Sequence, residues 1–189
     1  MSTKHKSYLG IDPGLEGGIA ICEFVHLPFD DEFDPKRYTE ARWQLLPTPV
    51  VKTNKNRFEM DIPGVIKIIR DLQTKSDIKL ATIEYPPKVP GNGVLGTASL
   101  FKGFGELRGI LMSHDIVIES PIPQLWKKVV LPGTNKDKEA AIAFTNRRLP
   151  GALPKAGPKS KKYHDGIADA FCLCWYGIKE FGFQHGVTL

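Results

Sequence analysis

Four carboxylates stand at positions where a carboxylate is costly unless something compensates it. Asp12 closes an apolar run, "SYLGID", and is followed at once by Pro13-Gly14. Glu84 closes a second run, "KLATIE". Asp165 and Asp169 lie four residues apart in "YHDGIADAFCLCWYG", a spacing that puts both on one helical face. Singly, each has an ordinary explanation. Asp12 could brace a turn, Glu84 could be a paired strand-end acid, and Asp165 could cap a helix. Asp169 fits such explanations worst, because it lies among Ile167, Ala168, Ala170 and Phe171 in the most apolar helical stretch of the chain. If the two strand ends and this helix meet, their charges repel and raise one another's pKa unless cations lie between them. All-oxygen donors of this kind suit Mg2+ or Mn2+. Two such ions can activate water and stabilise a leaving oxygen in phosphodiester hydrolysis.

The elements that must position these acids can be read from periodicity and turn residues. Ser7–Asp12 and Gly17–Val25 read as a hairpin, and Arg42–Thr53 as an edge strand, since it contains Pro47 and Pro49. Asp61–Thr74 reads as a helix capped by Asp61, with Ile62, Ile66, Ile69 and Leu72 at helical spacing. Lys79–Glu84 and Ile116–Glu119 read as strands. Thr97–His114, Gln124–Val129, Lys136–Leu149 and Tyr163–Phe181 read as helices. This order predicts one α/β domain over 1–189, with a mixed five-stranded sheet, an antiparallel hairpin joined to parallel strands, and helices on its faces.

The 189 residues suffice for one domain with a sizeable core. The net charge of +5 favours a polyanionic partner. The excess is concentrated between Gln124 and Tyr163, whereas Asp30, Asp31, Glu32 and Asp34 form an acidic stretch expected to be a solvated loop. Cys22, Cys172 and Cys174 sit in apolar runs without metal-ligand spacing, as buried thiols of a reducing compartment would. No run is long enough to cross a membrane, and no secretory signal precedes the first strand. These features point to the cytoplasm, or to an organelle if a transit peptide has been removed.

With "GIDPG", "TIEYPP" and "HDGIADA" in this order, the chain resembles the RuvC-type Holliday-junction resolvases of the RNase H-like superfamily. "SLFKGFGELRGIL" resembles the family's dimer-forming helix, and "PIPQLWKKVVLPGTNKDKEAAI" its DNA-facing segment. The long loop after Glu84 and "QLWKK" resemble the chloroplast and phage branches more than the typical bacterial one. The resemblance implies an RNase H-like fold, a homodimer, and Mg2+- or Mn2+-dependent cutting of four-way DNA junctions. Two ions per site, 5′-phosphate and 3′-hydroxyl products, and Asp12, Glu84 and Asp169 as metal ligands follow from it. The bacterial pattern has its remaining acid or histidine three residues before the final aspartate, where this chain has Gly166. Asp165 is the expected substitute and His164 the second choice.

Lys127, Lys128, Lys155, Lys159, Lys161 and Lys162 are candidates for phosphate contacts, with Lys162, just before the acid pair, expected nearest the scissile phosphate. Phosphate contacts carry no sequence information. Gln124 and Trp126, or the loop from Tyr85 to Gly96, could supply base contacts, although Trp126 could equally be core and Tyr85 is more ordinarily packed. Val94 and Leu95, placed at the loop apex, are candidate wedges for a junction centre. Gly105 and Gly109 form a small-xxx-small pair that would admit a second backbone or pack on the sheet.

Rival readings use the same residues. "DPGLEGGIA" also resembles the first phosphate loop of actin-like ATPases and sugar kinases, which need a second lobe and a second glycine-rich loop absent from this sequence. An RNase H-like nuclease acting on flaps or RNA–DNA hybrids, or a non-catalytic binding module, would share the fold. The intact acid set weighs against the last.

Overall fold

The computed structural model describes residues 4–25, 40–54, 57–87, 93–187 and 189. The acidic stretch from Asp30 to Asp34 and part of the loop after Glu84 lie outside the described residues. Strands β1 (His5–Asp12) and β2 (Gly18–Val25) form the expected antiparallel hairpin, with Asp12 opposite Gly18. The turn between them is closed by Gly17 N–H to the Gly14 carbonyl at 3.0 Å. Strand β3 (Glu40–Pro47) pairs antiparallel with β2 at the sheet edge. A parallel strand from Ser76 to Ile83 pairs with the other side of β1, and a short parallel strand, Ile118–Glu119, follows it.

The segment expected to be one strand from Arg42 to Thr53 is two. Strand β3 stops at Pro47, and β4 (Val50–Lys52) pairs instead with β5 (Phe58–Met60) in a separate ribbon. Pro47 and Pro49 lack the amide hydrogens a continuous ladder needs. The residue between them turns inward, where Thr48 N–H donates to Gly17 O at 3.2 Å. Numbered in chain order, the parallel strands are β6 (Ser76–Ile83) and β7 (Ile118–Glu119), so the main sheet runs β3-β2-β1-β6-β7.

Residues alternate between the two faces of this sheet, as the strand period requires. On one face Leu9, Ile11, Ile19, Ile21, Ala81 and Ile83 pack against helices α1 (Ile62–Lys75) and α2 (Val94–Ser113). Helix α1 starts as predicted, with Asp61 accepting from Gly64 N at 3.1 Å and Pro63 in the first turn. On the other face Tyr8, Ala20, Cys22 and Leu80 pack against α3 (Pro123–Val130), α4 (Lys138–Arg148) and α5 (Asp165–Phe181). All three cysteines are buried and free. Among the described residues no helix is long and apolar enough to cross a membrane.

Helix α5 lies directly on the sheet because glycine clears its path. A Cβ at Gly10 would stand 2.1 Å from the Ala170 carbonyl oxygen, and one at Gly18 would stand 2.7 Å from Ile167 Cα. From the helix side, a Cβ at Gly177 would meet Thr82 Oγ1 at 2.2 Å. These contacts set how far α5, and the acids on it, can sit from the strand ends.

Candidate active site

Three pieces of backbone deliver the four acids. The turn that ends β1 holds Asp12, whose Oδ1 accepts from Gly14 N at 3.2 Å. Glu84 follows β6, and its amide extends the sheet by donating to Ile11 O at 3.1 Å, which seats Glu84 beside the end of β1. Asp169 lies one turn into α5, and Asp165 is that helix's first residue.

The electrostatics show that these groups share one field. Burial pushes Asp12 up to about 6, and the Asp165 charge adds to the rise while Gly14 N–H opposes it. Glu84 is pushed up to about 7 by burial and by Asp12, against the Trp126 hydrogen bond. Asp169 is pushed up to about 7, first by burial and then by the charges of Asp12, Glu84 and Asp165, with Lys127 opposing. Its Oδ1 is buried and has no hydrogen-bond partner among the described residues. A buried, unpartnered carboxylate oxygen surrounded by like charges is stable as an anion only if a cation reaches it.

The donor set therefore fits a hard divalent cation, with Asp12, Glu84 and Asp169 as the oxygens available to it. Among the described residues no group of three His, Cys, Asp or Glu side chains is placed so that it could hold a metal ion by itself. Magnesium does not require one, since it is commonly held by one or two carboxylates with water and substrate phosphate oxygens.

Both candidates for the fourth position are engaged with the protein. Asp165 does not cap α5. That role falls to His164, whose Nδ1 accepts from Ile167 N at 3.3 Å, so the second-choice ligand is engaged with the helix end. Asp165 instead pairs with Lys138 at the start of α4. Partial burial raises its pKa, but the Lys138 hydrogen bond and charge outweigh this and hold it below the usual carboxylate range. Nor could the acid be restored at residue 166. A Cβ on Gly166 would stand 2.2 Å from Glu16 O, 2.7 Å from Gly17 Cα and 3.0 Å from Asp12 Oδ2.

Trp126, a candidate base contact, is 0% exposed and cannot touch DNA as placed. Its indole N–H donates to Glu84 Oε1 at 2.8 Å. Burial of the ring drives this, because α3 turns its apolar face to α5 and the indole N–H needs a partner there. Lys127 is half-buried, with its Nζ 5.1 Å from the Trp126 ring centroid. Its charge acts on Asp12, Glu84 and Asp169, and that of Lys138 on Asp12 and Asp165. Lys127 and Lys138 are thus the lysines whose charges act on the acids. Lys138 was not a sequence candidate. Its only signal is its place directly after Asp137, the α4 N-cap, and nothing local links it to Asp165.

Gln124, Lys128, Lys155, Lys159, Lys161 and Lys162 are exposed. The loop carrying the last four is closed by a Lys155–Tyr163 bridge, with the Lys155 ammonium 3.3 Å from the Tyr163 ring centroid. Tyr85 is half-exposed and packs edge-on against Phe101 and Phe104, with centroids 5.9 and 5.4 Å away. Val94 and Leu95 are not at a loop apex. They form the first turn of α2, each 86% exposed, because the helix starts three residues earlier than its apolar periodicity suggested. A Cβ on Gly105 or Gly109 would meet nothing within 4 Å, so this pair faces outward rather than packing on the sheet.

No family model matches the sequence, and no curated protein matches it. Solved structures do. The chain is similar to T. thermophilus RuvC in complex with a Holliday junction substrate, at 14% identity, over 95% of this chain and 96% of that one, with a TM-score of 0.55. It also matches a structure of Thermus thermophilus RuvC at 15% identity, over 93% and 96% of the two chains, with a TM-score of 0.48. At this identity the first likeness is one of fold: the mixed sheet and its flanking helices are those of the RNase H-like RuvC architecture.

Proposed function

We propose that this chain is a structure-selective DNA endonuclease that resolves four-way junctions, a single nuclease domain over residues 1–189 acting as a homodimer. The observation that carries the reading is the buried, unpartnered Oδ1 of Asp169, held among like charges from Asp12 and Glu84. The likeness to RuvC, solved with a Holliday junction substrate, supports the choice of DNA substrate.

Asp12, Glu84 and Asp169 would hold two Mg2+ or Mn2+ ions, and Asp165 is the fourth candidate once Lys138 releases it. When bound, such ions activate water and stabilise the 3′ oxygen as it leaves, giving 5′-phosphate and 3′-hydroxyl ends. The chain's own residues do the rest. Burial of Asp169 Oδ1 keeps bulk water from competing for that oxygen. Lys127 faces the acids from α3, where a phosphate would enter, and the exposed lysines from Lys155 to Lys162 hold the flanking backbone. The outward-facing Gly105 and Gly109 supply a surface where a second α2 can approach, which would place two sites on symmetric strands.

The test is a cleavage panel of four-way junction, flap, RNA–DNA hybrid and plain duplex, with Mg2+ and with Asp12→Asn as control. Junction cutting that is lost in Asp12→Asn supports the reading. Binding affinity should fall with salt at a slope of about −0.9 per phosphate contacted. Equal cutting of plain duplex refutes a resolvase, preference for flaps or hybrids moves the activity to another nuclease of this fold, and ATP turnover without cutting favours the kinase-like reading.

A further inference from the structure

Trp126 is fully buried, yet its indole N–H makes the one side-chain hydrogen bond to Glu84 among the described residues. A buried indole N–H must find an acceptor, and in α3 it could have been met by a backbone carbonyl. Here it reaches a carboxylate 42 residues away in sequence. The bond engages Oε1 only. Among the described residues Oε2 accepts no hydrogen bond. The same ring carries the Lys127 ammonium over its face. One side chain thus touches the acid through its edge and the lysine through its face.

We propose that Trp126 is a positioning residue that makes Glu84 a one-oxygen metal ligand: it holds Oε1 and leaves Oε2 as the oxygen that would bind a cation. The proposal rests on the nuclease reading above. A glutamate beyond a strand end has three rotatable bonds and would otherwise sample orientations in which either oxygen, or neither, faces Asp12 and Asp169. Groups that orient a metal ligand in this way typically change metal affinity or activity by about 10–100-fold when removed.

Trp126→Phe tests it, because Phe retains an aromatic face for core packing and for Lys127 but has no N–H. Two readouts are needed. In direct Mn2+ titration of the protein without DNA, affinity is expected to fall about 10–100-fold, with the thermal unfolding midpoint in EDTA recorded alongside. In cleavage assays, the Mn2+ concentration for half-maximal rate should rise by the same factor while junction KM stays unchanged. A variant matching wild type in both overturns the proposal and leaves the nuclease reading intact. Wild type that neither binds Mn2+ nor cuts junctions overturns the nuclease reading itself, and this proposal with it. If Trp126→Phe fails to fold, the indole 1H–15N resonance of Trp126 in wild type and Glu84→Ala decides instead. A resonance unmoved by Glu84→Ala overturns the proposal, and a shift on both Glu84→Ala and Mg2+ addition to wild type supports it.

Discussion

Gly166→Ala is the perturbation that tests the site's construction most directly. The added Cβ would stand 2.2 Å from Glu16 O, 2.7 Å from Gly17 Cα and 3.0 Å from Asp12 Oδ2. Two of these neighbours are backbone atoms of the β1–β2 turn and cannot rotate away, and a bridge between Gly17 and Gly166 pins the two segments together. Relief therefore requires α5 to move away from the turn. Overpacking of this kind costs about 1–3 kcal/mol. For a chain of this length each kcal/mol shifts Tm by about 2–4 °C, so the expected fall is about 2–12 °C. Gly105→Ala is the matched control, since its Cβ meets open space in the interior of α2 and the change should be neutral or raise stability by up to about 1 kcal/mol. Thermal unfolding followed by circular dichroism, in EDTA and at a protein concentration low enough to keep the chain monomeric, separates the two. A Tm for Gly166→Ala equal to or above wild type would refute the close approach of α5 to the turn. It would also reopen residue 166 as a place for a metal-binding side chain.

Two further outcomes follow from the same geometry. Asp169 is raised from 3.8 to about 7, so the metal-free native state binds more protons than the unfolded state between about pH 4 and pH 7, and stability falls as pH rises through that window. Asp169→Asn should therefore unfold at higher temperature than wild type at pH 8 in EDTA, lose that advantage near pH 4, and have no cleavage activity; a lower Tm at pH 8 would contradict the crowding of charge. Burial pushes the thiols of Cys22, Cys172 and Cys174 well up, so Ellman's reagent should titrate none in the native protein at pH 8 and all three in denaturant. A fast-reacting native thiol would show that the face packed against α5 is open.

The sheet was legible because strand and helix periods differ and the apolar residues keep to them. The hairpin around Asp12, the parallel strand before Glu84 and the apolar helix carrying Asp169 all read directly from the residues. What escaped depends on contacts between distant segments. Trp126 looks the same in sequence whether it faces solvent or Glu84. Lys138 is one lysine in a basic stretch, and only the packing of α4 beside α5 gives it Asp165 as a partner. Two prolines are compatible with one edge strand in sequence, but the residue between them turns inward at Thr48 and divides the segment. The start of α2 is not legible because Val94-Leu95-Gly96 precedes any repeating apolar position, so nothing periodic marks the first turn.

The glycines at the contact between α5 and the sheet have a consequence for how this chain can change. Gly10, Gly18 and Gly166 contribute no functional group, yet each sets a separation that no other residue type could keep. The reach between Asp12 and Asp169 is thus governed by positions that supply nothing but the lack of a side chain. Chemistry here is most vulnerable where there is no chemical group to remove, and a map of tolerated substitutions would find its sharpest intolerance beneath the helix as well as among the acids.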